Sequence, residues 1–376
     1  MEKIRVLQVF TVLDIGGAET NLMNYYRKLP KDKIQMDFLV HREKGFFEEE
    51  LLISGSKIYR LPAIHPLKLI AYKKAVDLFF KEQANNYDIV HGQLSELGVF
   101  IYESAKKYGV PVRIAHAHNS KMDIDLKAPF RYFWKKRMLK SINGYFSCGQ
   151  ESSVWLFGKK QAKNAFIMPN SIDVAQFQYN PQVHEQYEKE FQFSTPHTFL
   201  HVGRFSNQKN HAFLIEVFLK ILEKQPDAKL LLVGEGELKS KIIAQVESLQ
   251  ITNTVRFLGQ RTDVNQLMQW CNYFIFPSLF EGFGVALVEA QASGMYSFIS
   301  NKIASESQII KSNICVLDLN LGVQYWSNVI VQKIQKRIRI NKDFFKSIKS
   351  AGYDVNDNTD LLINQYYKLL KKNEKI

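Results

Sequence analysis

At 376 residues the chain exceeds what one ordinary hydrophobic core organises, so two domains are expected, and 46% hydrophobic content suffices to fill both. No stretch approaches the ~18 consecutive apolar residues of a bilayer span, which excludes a helical membrane-spanning class. The net charge of +13 suits an anionic partner, whether nucleic acid, a phosphorylated ligand or an anionic membrane surface, and does not choose among them.

Residues 4–10 read as a short apolar strand met at once, without the long apolar region of a leader, so a cytoplasmic location is expected. A helix at 18–29 follows. Strands at 35–40, 56–61 and 88–91 alternate with helices at 46–53 and 66–85. A helix at 96–108 leads to a strand at 111–117. Repeated strand–helix units imply parallel sheets with helices on both faces. The polar, charge-mixed stretch 179–190 marks a linker near 175–195. Beyond it come strands at 198–202, 229–233, 255–258, 273–277 and 296–300. Helices at 209–225, 237–249, 264–269 and 285–293 separate them. Leu361, Leu362, Tyr366, Leu369 and Leu370 have the spacing of a docked terminal helix over 359–370, which ends in a lysine-rich tail. Cys148, Cys271 and Cys315 lack metal-like spacing and sit in or beside apolar runs. They are expected as buried thiols in a reducing compartment.

In doubly wound sheets, ligands gather beyond the carboxyl ends of strands, so the loops there carry the functional reading. After the first strand, Gly16-Gly17-Ala18-Glu19 opens a helix whose N–H groups can meet a phosphate; a tight turn is the other reading. His116 and His118 share one face at the end of the strand 111–117. Two such histidines can bind metal, but no third ligand lies nearby, so a polar site histidine is preferred. Asp123-x-Asp125 resembles a metal–nucleotide motif, yet it precedes Leu126-Lys127-Ala128-Pro129 and reads as an ordinary loop. Residues 131–140 are basic and aromatic. They suit a helix on an anionic bilayer, or equally a solvated basic face with an apolar core side.

Strand 198–202 ends in Gly203-Arg204, with Lys209 five residues on at a helix start. A planar guanidinium, a point charge and a helix N-terminus together would neutralise a diphosphate. The most informative segment is 276–294. Here a Pro-terminated apolar run meets Glu281, Gly282 and Gly284, then a helix bearing Glu289. A hydrolytic carboxylate pair must flank one bond at about 5–10 Å. Eight helical residues would rise ~12 Å, so separate contacts to one long ligand fit the two acids better.

Taken together, these segments resemble the family 4 retaining glycosyltransferases of the GT-B fold. The match is collinear through Gly16-Gly17-Ala18-Glu19, His118-Asn119, Pro169-Asn170-Ser171-Ile172-Asp173, Gly203-Arg204…Lys209-Asn210, Val233-Gly234-Glu235-Gly236, Phe257-Leu258-Gly259 and the Glu-x7-Glu signature within 277–294. The resemblance implies two Rossmann-like doubly wound α/β domains facing a central cleft. They are placed at 1–178 (acceptor side) and 179–350 (donor side), with 351–376 crossing back to the first. It implies a nucleotide-sugar donor, UDP by family frequency, with no metal and no other cofactor. Arg204 and Lys209 would hold the diphosphate, Glu289 the ribose and Glu281 the donor sugar. The backbone near Gly259, Gln260 and Arg261 would face the base. Asn170, Gly203, Gly234, Gly282, Phe283, Gly284 and Val285 would complete the donor site. Gly16 and Gly17 would close over the phosphates or the acceptor, and His118 or His116 would face the reacting centre. Ser171 stands where the family has Gly, a change expected to matter little. The acceptor implied is a lipid-linked or oligosaccharide chain of capsule or exopolysaccharide, made at the inner membrane face. A UDP-N-acetylglucosamine 2-epimerase on the same architecture is the alternative, with the Glu-x7-Glu loop against it. A nucleic-acid-binding role lacks any recognition motif.

Overall fold

The computed structural model describes residues 3–118, 128–335 and 344–373. Asn119, Asp123 and Asp125 lie outside the described residues. The chain divides into two units, one of residues 1–171 with 355–376, the other of residues 172–354.

The first unit runs β1 (Ile4–Val9), α1 (Gly17–Lys28), β2 (Ile34–Val40), α2 (Glu48–Ile53), β3 (Ile58–Arg60), α3 (Leu69–Gln83), β4 (Ile89–Gly92), α4 (Val99–Lys107), β5 (Val112–Ala117), α5 (Ala128–Leu139), β6 (Gly144–Ser147), α6 (Gln150–Ala162) and β7 (Phe166–Ile167). The second runs α7 (Pro181–Phe191), β8 (Thr198–Val202), α8 (His211–Leu222), β9 (Lys229–Val233), α9 (Lys239–Ser248), β10 (Val255–Gly259), α10 (Val264–Trp270), β11 (Tyr273–Phe276), α11 (Val285–Ala292), β12 (Tyr296–Ser300), β13 (Ile314–Leu317), α12 (Gly322–Ile334) and α13 (Phe345–Ser350). The chain then returns to the first unit as α14 (Val355–Asn373).

Both sheets are parallel, as the strand–helix rhythm requires. Their orders are β3-β2-β1-β4-β5-β6-β7 and β10-β9-β8-β11-β12-β13. The central strands are near-continuous apolar runs because helices cover both faces, as in Lys229-Leu230-Leu231-Leu232-Val233. Strand order reverses between β1 and β4 in one sheet and between β8 and β11 in the other. These are the two places where a parallel sheet opens a crevice at its carboxyl edge.

Several expectations need correcting. The stretch taken as a linker is helix α7. Pro181 stands at its first turn, and the Asn180 side chain accepts from Gln182 N at 3.0 Å. Val183, Tyr187 and Phe191 recur every four residues, and Tyr187 is buried against Trp270. The change of unit falls at Ser171–Ile172, ahead of the boundary placed at 178. Of the cysteines, only Cys271 is fully buried; Cys148 and Cys315 are half-buried, and none forms a disulfide.

Ser171 is more than a tolerated substitute for glycine. It is fully buried. Its hydroxyl lies 3.0 Å from the Tyr25 hydroxyl and accepts from Asn358 Nδ2 at 2.7 Å, while its N–H donates to Asn21 Oδ1 at 3.0 Å. One side chain thus links α1, α14 and the end of the first unit.

Candidate active site

In the second unit, glycines draw the strand ends together. Gly203 N–H donates to Val233 O at 3.0 Å, and Gly234 N–H to Gly259 O at 2.8 Å. Gly234 has φ +137°, and a Cβ there would collide with the Gly203 carbonyl, so only glycine permits this approach. Past Arg204 a short turn carries Lys209, and Asn210 in the left-handed conformation starts α8. The loop after β11 is pinned to this turn. Leu279 N–H donates to Gln208 O (2.8 Å), Gln208 Nε2 to Phe280 O (3.0 Å) and Asn210 Nδ2 to Pro277 O (3.2 Å).

That pinning brings Lys209 Nζ to 2.6 Å from Glu281 Oε1 and 4.7 Å from the centre of the Phe276 ring. Their side chains are only 17% and 7% exposed, so this ion pair lies out of bulk water at the β8/β11 reversal. Arg204 differs: its side chain is 70% exposed and meets Glu237 at 3.3 Å. A surface pair of this kind is worth about 0–1 kcal/mol, so an incoming phosphate can take the guanidinium over. Gly284, at φ +84°, turns the loop into α11 and leaves the first N–H groups of that helix, from Val285 on, to meet an anion. Gly282 is exposed beside them, and Phe283 leans on Tyr353 with ring centres 5.1 Å apart.

Glu289 sits on the second turn of α11. Among the described residues nothing donates to its carboxylate, and burial pushes its pKa up to about 7. Unfolded, the group ionises near 4.5. Between those values the folded chain keeps a proton that the unfolded chain has released. Stability therefore falls as pH rises through this window and stays reduced above it. Glu289→Gln is expected to match the ligand-free wild type near pH 4 and to melt about 2–4 °C higher above pH 7. Melting curves of the two proteins that stay superimposed from pH 4 to 8 would contradict this.

The Arg261 guanidinium is committed to Asp263 (2.8 and 2.6 Å) and Glu190 (3.3 Å), so its charge is held away from a ligand. The Tyr187 hydroxyl joins the same Asp263 carboxylate. Asn170 is buried in the first unit, beside Ser171.

In the first unit, Gly16 caps α1, and a side chain there would collide with the Glu19 carboxylate; Gly17 faces open space. The His116 and His118 rings stack 4.3 Å apart, as two-residue alternation predicts. The sequence reading missed a third histidine, His91 on β4, stacked on His116 at 5.3 Å. It also missed Gln93 and Tyr366, which hydrogen-bond with these rings, and Gln8, which joins the two. Burial depresses all three histidines: His91 to about 3, His118 to about 4 and His116 well below its ordinary value. Among the described residues, no group of three or more His, Cys, Asp or Glu side chains could hold a metal ion, and no helix is long and apolar enough to cross a membrane.

Two family descriptions match the chain: Glycosyltransferase Family 4 over residues 15–176, and Glycosyl transferases group 1 over residues 183–372. EpsF of Bacillus subtilis strain 168 is 31% identical over 376 residues, 96% of each chain. The UDP-Gal:alpha-D-GlcNAc-diphosphoundecaprenol alpha-1,3-galactosyltransferase of Escherichia coli is 23% identical over 93% of this chain and 91% of its own. Among solved structures, Anabaena HepE with UDP and glucose shares the fold at a TM-score of 0.72 and 17% identity, covering 98% of both chains. With both halves matched in order and a full-length relative above 30% identity, the chain belongs to the group 1, family 4 glycosyltransferases.

Proposed function

We propose that this glycosyltransferase moves a sugar from a UDP-type donor, with retention and without a metal ion, to a lipid-linked or oligosaccharide acceptor in capsule or exopolysaccharide assembly. The observation that carries the reading is the buried Lys209–Glu281 pair at the β8/β11 reversal, beside Arg204 and the start of α11. Lys209 and Arg204 supply the positive charge that a diphosphate needs as it leaves. Glu281 holds hydroxyls of the donor sugar, Glu289 those of the ribose, and a strand-end histidine serves the reacting sugar. The acceptor oxygen bonds to the anomeric carbon on the face from which the phosphate departs. The carbon–phosphate-oxygen bond breaks, and the acceptor proton passes to that phosphate. The E. coli relative, named for a UDP-sugar and a diphosphoundecaprenol-linked acceptor, supports the choice of substrates. The epimerase alternative is not favoured, since both matched families are transferases.

Calorimetry with UDP, GDP, ADP and CMP, first without metal and then with magnesium, tests the donor site. Metal-free binding of UDP at roughly micromolar Kd, about −8 kcal/mol, is the expected result. No binding in either condition would remove the donor site from the reading, and binding that needs magnesium would remove metal independence.

The membrane face draws on a surface of the first unit. On α5, Trp134 and Met138 point into the core, while Tyr132 and Phe133 are exposed, with Lys136 Nζ 4.7 Å from the Tyr132 ring centre. Just before and within α3, Leu67 (90%) and Ile70 (75%) are exposed among Lys68, Lys73 and Lys74. Both helices pack on α4. Apolar tips among lysines suit an anionic bilayer interface. Flotation is expected to show at least about tenfold stronger binding to anionic than to neutral vesicles. Equal recovery on both would sink the electrostatic contact.

A further inference from the structure

Six side chains of the first unit form one hydrogen-bonded file. His118 Nε2 meets Gln93 Oε1 (2.6 Å), Gln93 Nε2 meets Gln8 Oε1 (3.0 Å), and Gln8 Nε2 meets the Tyr366 hydroxyl (3.3 Å). That hydroxyl lies 2.8 Å from His91 Nδ1, and His91 Nε2 lies 3.2 Å from His116 Nδ1. Gln8, His91, His116 and Tyr366 are fully buried. The file begins and ends on the two strand-end histidines and passes through a tyrosine of the last helix.

Its polarity follows from what each atom can do. Gln8 Nε2 also faces the Met36 sulfur at 3.8 Å; a thioether only accepts, which fixes the Gln8 amide. The Gln8 carbonyl then accepts from Gln93 Nε2, which turns the Gln93 carbonyl towards His118. A carbonyl only accepts, so His118 carries its hydrogen on Nε2 and leaves Nδ1 bare. On the other side, Gln8 donates to the Tyr366 oxygen, so the phenol hydrogen goes to His91 Nδ1. His91 must then hold its own hydrogen on Nε2 and give it to His116 Nδ1. His116 is left with a hydrogen on Nε2, a buried atom without a hydrogen-bond partner among the described residues. Turning both amides over would reverse every donor in the file, so the two ends always change together. Burial keeps all three rings neutral at physiological pH, so tautomer rather than charge is the property being set.

We propose that Tyr366 and Gln93 are positioning residues that lock the two strand-end histidines in linked tautomers, with His118 an acceptor at Nδ1 and His116 a donor at Nε2. The proposal rests on the transferase reading. A ring locked this way takes a hydrogen from a substrate hydroxyl and has none to offer an ether or carbonyl oxygen. Nδ1 of His118 has no partner among the described residues, so it is the atom left for substrate.

The test is long-range proton–nitrogen NMR on the ligand-free full chain labelled with 15N-histidine, which separates bare from protonated ring nitrogens. His118→Asn assigns the His118 signals. Wild type is expected to show His91, His116 and His118 all protonated at Nε2. Tyr366→Phe keeps the shape of the buried ring and should turn His91 and His116 into tautomer mixtures. Gln93→Leu, at a half-buried position, should do the same to His118. Each variant should lose about tenfold in kcat, the effect of one misplaced neutral hydrogen bond, with the donor KM within about twofold. A wild-type His118 protonated at Nδ1, tautomers unchanged in both variants, or shifted tautomers with unchanged kcat would each overturn the proposal. Failure of the transferase reading would appear elsewhere, as absent nucleotide binding in wild type, and would leave the NMR result standing.

Discussion

Lys209→Ala is expected to lower sugar transfer about a thousandfold, the upper range for removing one preorganised donor to a developing anion. Two losses combine. The departing diphosphate loses the ammonium that receives its charge, and Glu281 is left as an unpaired carboxylate with a side chain only 7% exposed. Breaking a buried pair from one side costs about 3–5 kcal/mol, because the remaining charge has neither water nor a partner. The variant should therefore also melt earlier and bind UDP more weakly, by about tenfold. Lys209→Arg keeps the charge and should recover part of the rate. Initial rates with labelled donor, read beside a melting curve, check this. Activity within threefold of wild type would exclude Lys209 from the diphosphate site.

Glu281→Gln should separate turnover from binding. The amide keeps the shape of the acid but removes its charge, and Lys209 becomes free to meet the diphosphate. We expect kcat to fall about a hundredfold, the low end for a positioned polar group at a reacting centre. UDP affinity should stay within about threefold of wild type. The contrast between the variants is diagnostic, since the lysine changes both quantities and the glutamate only one. Full activity of Glu281→Gln would overturn the role assigned to the acid. Because the two groups touch, the double variant should lose less than the single losses combined.

How much of this was legible beforehand depends on where the signal lay. Glycine beside charge in the loops after strands, such as Gly203-Arg204 after β8 and Glu281-Gly282 after β11, announces itself, because nothing in packing asks for it there. The partner of Lys209 did not: Glu281 lies 72 residues away, and only the order of β8 and β11 makes them neighbours. His91 was silent because a lone histidine in a short apolar strand looks like core. Tyr366 was hidden within a helical apolar stripe that explains it adequately as packing. Helix α7 was missed for the opposite reason. Its polar composition drew attention from the Asn180-Pro181 start and the four-residue recurrence of Val183, Tyr187 and Phe191. Ser171 shows the same limit at one residue, since its importance rests on Tyr25, Asn21 and Asn358, all distant in sequence.

The return of α14 to the first unit has a consequence for biosynthesis. A nascent chain emerges amino end first, yet the first unit lacks Leu362, Ile363, Tyr366, Leu369 and Leu370 of its core until α14 leaves the ribosome. Residues 172–354 must be made in the interval, which takes roughly ten to forty seconds at about 5–20 residues per second. By the end of that time the second unit has all its own residues and can fold, while the first still waits with an apolar face uncovered. The usual order of folding along a chain is thereby inverted. The strands of the first unit are sealed after those of the second, and the histidine file closes only once α14 has been made.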